Sequence, residues 1–168
     1  FNVPYANWRL GAKVQSYFET NRRAAREEIE RIVIVGHRGS RYHGNENTMS
    51  SIRRGIARGA QIIEIDLQAT NDGHLVLFHN LTVDETTNGR GTLSEMSLEQ
   101  IRQLRLSNGE RIPSLQEVLG QFRGTRFIFD IKQSGISQMV LEAVNRNNLQ
   151  NRVIIFGDHE IIGEYKDL

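Results

Sequence analysis

Three short apolar runs in the first half of the chain each carry groups that titrate or coordinate. Ile32-Val33-Ile34-Val35-Gly36 closes on His37-Arg38-Gly39, Ile62-Ile63-Glu64-Ile65-Asp66 carries two carboxylates, and Leu75-Val76-Leu77-Phe78 closes on His79. Runs this short and rich in β-branched residues read as buried strands. In parallel α/β folds the carboxyl ends of strands are where ligands bind and chemistry is done. The pattern therefore constrains the architecture and the place of the site together.

Between and after these strands the chain reads as helix. From about Ala6 to Glu30 one or two helices are expected, ending in the charge run Arg22 to Glu28, whose signs alternate at i, i+4 as on a solvated helix face. Strand 32–36 leads into a Gly-rich loop ending at Asn47-Thr48, where Thr48 caps a helix to about Arg58 that Gly59 stops. Strand 61–66 returns through an Asn71-Asp72-Gly73 turn, too tight for a helix, to strand 74–79. A polar excursion, Asn80 to Leu93, follows, and loops of that length inside compact domains are often binding elements. Helices near 97–105 and 114–122, strand 126–131, helix 137–148, strand 152–156 and the start of another helix complete the pattern. It fits an open doubly wound sheet or a (β/α) barrel. Polar residues at alternating strand positions, Glu64, Asp66, Asp130 and Lys132, favour the barrel, because they make one strand face converge on a polar centre.

With 168 residues the prior is one domain, and 21 basic against 20 acidic side chains give a net charge of +1 that favours neither nucleic acid nor an anionic membrane as partner. An anionic substrate must then be held by local cations. No apolar run approaches the ~18 residues of a membrane span, so the polypeptide reads as soluble. The absence of cysteine excludes disulfides and thiolate chemistry but suits a cytoplasmic and an exported protein alike. The sequence opens at Phe1, so a removed signal peptide would leave no trace, and the compartment stays open.

Glu64 and Asp66, two apart on one strand, point to the same face about 6.6 Å apart along the chain. Two carboxylates so placed repel unless a cation intervenes. Asp130, two residues before Lys132, brings a third, and a set of hard oxygen ligands suits Mg²⁺ or Ca²⁺ better than zinc. A structural network in which Glu64 and Asp66 pair with Arg38 or Lys132 explains those two carboxylates as well, and both readings stand at this point. His37 and His79, both at strand ends, read as a proton-transfer pair for in-line phosphoryl displacement. Arg38 and Lys132 are placed to hold non-bridging phosphate oxygens, and Gly36 and Gly39 to let backbone approach the ligand. His43, in the loop before Glu46, His74, beside the turn, and His159, at the last helix, are assigned no role.

Ile34-Val35-Gly36-His37-Arg38-Gly39, Glu46-Asn47-Thr48, Gly59-Ala60, Ile63-Glu64-Ile65-Asp66, Thr70-Asn71-Asp72-Gly73, Val76-Leu77-Phe78-His79 and Thr82 to Gly89 resemble, in order and spacing, the signature of the glycerophosphodiester phosphodiesterases. The resemblance covers residues 32 to 156 or so. It implies a barrel of the triosephosphate isomerase type, with His37 and His79 as general base and acid. It also implies that Glu64, Asp66 and Asp130 bind a divalent cation, while Arg38, Glu46 and Lys132 position the phosphate or its ligands. The implied reaction is attack of a neighbouring glycerol hydroxyl on phosphorus, then hydrolysis of a cyclic phosphate, yielding glycerol 3-phosphate and an alcohol.

The chain departs from that pattern in three places. Asn80 stands where the family usually has Asp after the second histidine, and Asp130 where many members have Glu. Such a barrel needs eight strands and ~250 residues, whereas about five strands are readable here. Residues 1–31 therefore read as an N-terminal helical extension, and 32–168 as the N-terminal part of a barrel domain whose C-terminal strands are missing. The expectation is a piece of a longer enzyme, or a chain completed by self-association or another chain. A lysophospholipase D or sphingomyelinase D-like enzyme on the same barrel, and a non-catalytic phosphodiester-binding domain or inactive truncated fragment, are the alternative functions.

Overall fold

A computed structural model describes residues 20–21, 32–41 and 46–166. The chain divides into two units, Phe1–Val33 and Ile34–Leu168. Apart from Thr20 and Asn21, which are helical, the expected N-terminal helices lie outside the described residues, as do the charge run and His43. The elements below belong to the second unit.

Its sheet contains β1 (Val35–Gly36), β2 (Ile62–Ala69), β3 (Leu75–Leu77), β4 (Arg126–Ile131) and β5 (Val153–Phe156). The order is β1-β2-β4-β5 with all three pairings parallel, and β3 returns antiparallel on β2. Helices α1 (Met49–Ala57), α2 (Leu98–Gln103), α3 (Leu115–Gln121), α4 (Ser137–Arg146) and α5 (His159–Glu164) occupy the intervals. Local chemistry explains their starts. Thr48 caps α1 as expected, and Ser97 and Ser114 cap α2 and α3, each in a reciprocal box with the residue three positions on.

Because side chains alternate, Ile63, Ile65 and Leu67 of β2 register with Phe127, Phe129 and Ile131 of β4 and pack as one apolar layer with Ile52, Leu119 and Val140 from the helices. The opposite face carries Glu64, Asp66, Ile128 and Asp130. A second apolar cluster, including Val76, Phe78, Val83, Leu93 and Ile101, underlies the excursion after His79. That excursion is folded back on itself, with Val83 N donating to the Gly91 carbonyl and Leu93 N to that of Leu81.

Three expectations change. β1 is only two residues long, β3 spans 75–77 rather than 74–79, and β2 continues to Ala69. The two histidines follow strands of opposite direction, His37 a parallel one and His79 an antiparallel one. Gly36 and Gly39 are required by packing. A Cβ at Gly36 would meet the Gly39 carbonyl and Ile63, and one at Gly39, whose φ is +85°, would collide with Ser51 and the Ile52 amide of α1.

Candidate active site

The pairing register brings the two histidines toward one place. β4 occupies one edge of β2 from Ile62 to Leu67, so β1, at Ile62 and Ile63, and β3, at Leu67 to Ala69, share the other edge. The chain running up β1 passes from Gly36, opposite Ile63, into His37 at the level of Glu64. The chain running down β3 passes through Phe78, whose N–H donates to the Asp66 carbonyl at 3.2 Å, into His79. His37 and His79 thus approach from opposite directions along the same edge. The Asn71-Asp72-Gly73 turn achieves this by reversing the chain.

At this level Glu64, Asp66 and Asp130 each offer an oxygen within 4.8 Å of the others. Asp66 is fully buried and Glu64 is 7% exposed. Arg38 Nε lies 3.1 Å from Asp66 Oδ2, and Asn47 Nδ2 donates to the same oxygen at 2.7 Å. Lys132 Nζ donates to Asp130 Oδ2 at 2.6 Å and lies 3.4 Å from Asp66 Oδ1. The salt-bridge network anticipated from sequence for Glu64 and Asp66 is therefore present at Asp66, and Asp130 joins it through Lys132. Glu64 is different. It accepts the Arg38 backbone N–H at 2.6 Å on Oε2, which also lies 3.8 Å from His37 Nε2, while Oε1 is buried without a hydrogen-bond partner. Asp66 Oδ1 likewise accepts no hydrogen bond.

The electrostatics follow from this imbalance. Burial pushes the Glu64 carboxyl up to about 7; the Arg38 amide offsets part of that, and the charges of Asp66 and Asp130 add to it. For Lys132 burial acts downward, but the hydrogen bond to Asp130 and the charges of Asp66 and Asp130 outweigh it, holding the ammonium above its ordinary value. Three carboxylates with two orphaned buried oxygens fit a hard divalent cation.

Arg38 is central and locally strained, with φ +50° in a non-glycine residue, which turns its N–H onto Glu64. Its guanidinium also donates to Glu46 Oε1 at 2.8 Å, and Arg41 Nε holds Glu46 Oε2 at 3.0 Å. Of the residues singled out from sequence, Glu46 thus meets two arginines rather than open space. His79 lines a cleft of about 450 Å³ with Arg38, Arg41, Glu46 and Asn80. His37 lines a second, of about 470 Å³, and Arg41 borders both. His79 Nδ1 lies 2.7 Å from Asn80 Oδ1, Asn80 Nδ2 donates to Glu85 Oε2 at 3.1 Å, and Gln68 Nε2 donates to the carbonyls of Phe78 and Asn80 at 2.9 and 2.8 Å. Sequence reasoning missed Arg41, Asn47, Gln68 and Glu85. Asn47 and Glu85 carried a signal, since both fall within the motifs Glu46-Asn47-Thr48 and Thr82 to Gly89, and asparagine tolerates the left-handed backbone that Asn47 adopts here at φ +53°.

A model of the glycerophosphoryl diester phosphodiesterase family matches residues 37–167. The chain belongs to that family. Among relatives in the family, the glycerophosphodiester phosphodiesterase of Caldanaerobacter subterraneus subsp. tengcongensis is 36% identical over 137 residues, covering 73% of this chain and 56% of the relative. Human glycerophosphodiester phosphodiesterase 1 is 37% identical over 128 residues, covering 70% of this chain and 38% of the relative. The chain thus spans about half the length, or less, of the curated relatives it matches. In structure it is similar to the glycerophosphodiester phosphodiesterase of Agrobacterium tumefaciens (TM-score 0.71, 28% identity), covering 76% of this chain and 58% of that one. A glycerophosphoryl diester phosphodiesterase of Parabacteroides distasonis gives a TM-score of 0.66 at 28% identity, with 80% and 58% covered. These family members are barrels of the triosephosphate isomerase type, of which the four parallel strands and the β3 return make up part.

Proposed function

We propose that the protein hydrolyses glycerophosphodiesters to glycerol 3-phosphate and an alcohol, with His37 and His79 as general base and acid. The observation that carries this reading is the convergence of both histidines on the edge of β2 that presents Glu64 and Asp66, in a chain of this family. The substrate class comes from the family. Glu64, Asp66 and Asp130 hold a divalent cation, Mg²⁺ or Ca²⁺. When bound, such an ion neutralises the carboxylates and offsets charge developing on the phosphoryl oxygens. His37 takes the proton of the glycerol hydroxyl next to the phosphoester as that oxygen attacks phosphorus, and His79 returns one to the departing alkoxide. The same pair, with roles exchanged, adds water to the cyclic phosphate. Arg38 and Lys132 are already committed to carboxylates, so they orient the site as well as facing phosphate, and Glu46 keeps the Arg38 guanidinium in place.

We assign residues 32–168 to the N-terminal part of a barrel domain and 1–31 to an extension of it. Release of glycerol 3-phosphate from glycerophosphocholine by the full-length protein, with and without EDTA, tests the function. EDTA-sensitive release is expected, and none with either ion present would overturn it. Lysophosphatidylcholine as a parallel substrate tests the lipid-directed alternative.

A further inference from the structure

We infer that Glu85 and Asn80 form a relay that fixes the tautomer of His79, with Glu85 acting as the lock on the Asn80 amide. This rests on the proposed proton-transfer role of His79 and assigns the residues that position it.

The difficulty lies in asparagine itself. Asn80 Oδ1 is 2.7 Å from His79 Nδ1, and an amide oxygen only accepts, so Nδ1 keeps its hydrogen throughout and Nε2 is the nitrogen that takes up a proton and gives it to the leaving oxygen. Turned over, the same amide would donate its N–H to a bare Nδ1, and the ring hydrogen would move to Nε2. The two arrangements have the same shape and the same number of hydrogen bonds. An aspartate would not face this ambiguity, because both of its oxygens accept.

Glu85 removes it. A carboxylate has no hydrogen to give, so its contact with the amide, 3.1 Å from Oε2 to Nδ2, is favourable only when nitrogen faces Glu85 and oxygen faces the ring. The excursion places Glu85 there, anchored two residues earlier by buried Val83. The backbone on either side of the ring is held independently. Gln68, 1% exposed on β2, donates to the carbonyls of both Phe78 and Asn80, so the amide orientation is the degree of freedom that remains. The neutral acceptor thereby does the orienting work of a carboxylate without adding a charge next to His79.

The test uses Glu85→Ala, Asn80→Asp and the double variant in the full-length protein, with histidine ring ¹⁵N spectra and steady-state kinetics on glycerophosphocholine. In the unaltered protein His79 should show the Nδ1–H form. Glu85→Ala should introduce the Nε2–H form and lower kcat about two- to fivefold, the loss of competent fraction, with KM unchanged. Asn80→Asp combined with Glu85→Ala should restore both the Nδ1–H form and kcat, because a carboxylate next to the ring has no wrong orientation. Unchanged ring spectra in Glu85→Ala, or the same loss of kcat when Glu85→Ala is made on top of Asn80→Asp, would overturn the lock. Full turnover by His79→Ala would overturn the proton-transfer reading instead, while the ring spectra would still decide the relay.

Discussion

The two faces of one sheet, separated by a single step along each strand, have opposite chemistry. On the helix side Ile65 and Phe129 face each other fully buried, in an apolar layer that satisfies itself by packing. One residue on, Asp66 and Asp130 share a rung on the other face with Arg38, Lys132 and Asn47 around them. Further along that face Ile154 and Phe156 are 51% and 59% exposed. Burial stabilises the first face, whereas on the second it leaves Glu64 raised to about 7, with Glu64 Oε1 lacking a partner and Asp66 Oδ1 met only by the Lys132 ammonium at 3.4 Å. The difference shows where stability resides and where it has been given up for a site.

Phe129→Ala should test the first half of that contrast with the largest effect, a loss of about 3–5 kcal/mol in unfolding free energy from the cavity it leaves. Urea denaturation checks it, and a loss below about 1 kcal/mol would mean that the helix layer does not hold the fold. On the other face His37→Ala and His79→Ala should each lower kcat by about two orders of magnitude, or ~2.7 kcal/mol, with the denaturation midpoint unmoved. Wild-type turnover in either variant would return that histidine to a structural role.

Glu64→Gln and Asp130→Asn should each weaken Mg²⁺ or Ca²⁺ binding about tenfold or more by calorimetry, since each removes a charged ligand. Unaltered affinity would leave the carboxylates as a salt-bridge network alone. The pH dependence sharpens the point. Glu64 titrates near 7 in the folded, ion-free protein against an ordinary 4.5, so its contribution to stability is full below about 4.5 and is lost as pH rises through 7. In EDTA the unaltered protein should therefore lose stability over that window, and Glu64→Gln should lose less. Parallel stability curves would contradict this. Cation affinity should run the opposite way, falling as pH drops below 7, because the proton must leave first. The smallest effect is expected at Ile154→Ala, within about 1 kcal/mol, because the side chain is already half in water. A loss comparable to that of Phe129→Ala would show that this face is covered in solution.

Features set by near neighbours were legible in the sequence. Thr48 as a cap, the Asn71-Asp72-Gly73 reversal, the period-two alternation of Glu64 with Asp66 and the family signature each depend on a few adjacent residues, and the structure carries all of them. What only the tertiary structure decided depends on partners far along the chain. That β1 and β3 share one edge of β2, so that the chain reaches His37 and His79 along that edge from opposite directions, follows from strand register. Register pairs residues as distant in sequence as Asp66 and Asp130, and does so only after the intervening loops have closed. The same holds for Gly39, which makes room for α1, for Gly36, which makes room for the Gly39 carbonyl and Ile63, and for Glu46, which is claimed by two arginines. It holds also for Asn80, whose useful orientation is set by a carboxylate on the returning excursion. A side chain's type states which hydrogen bonds it can make, but only the folded neighbours determine which of them it does make.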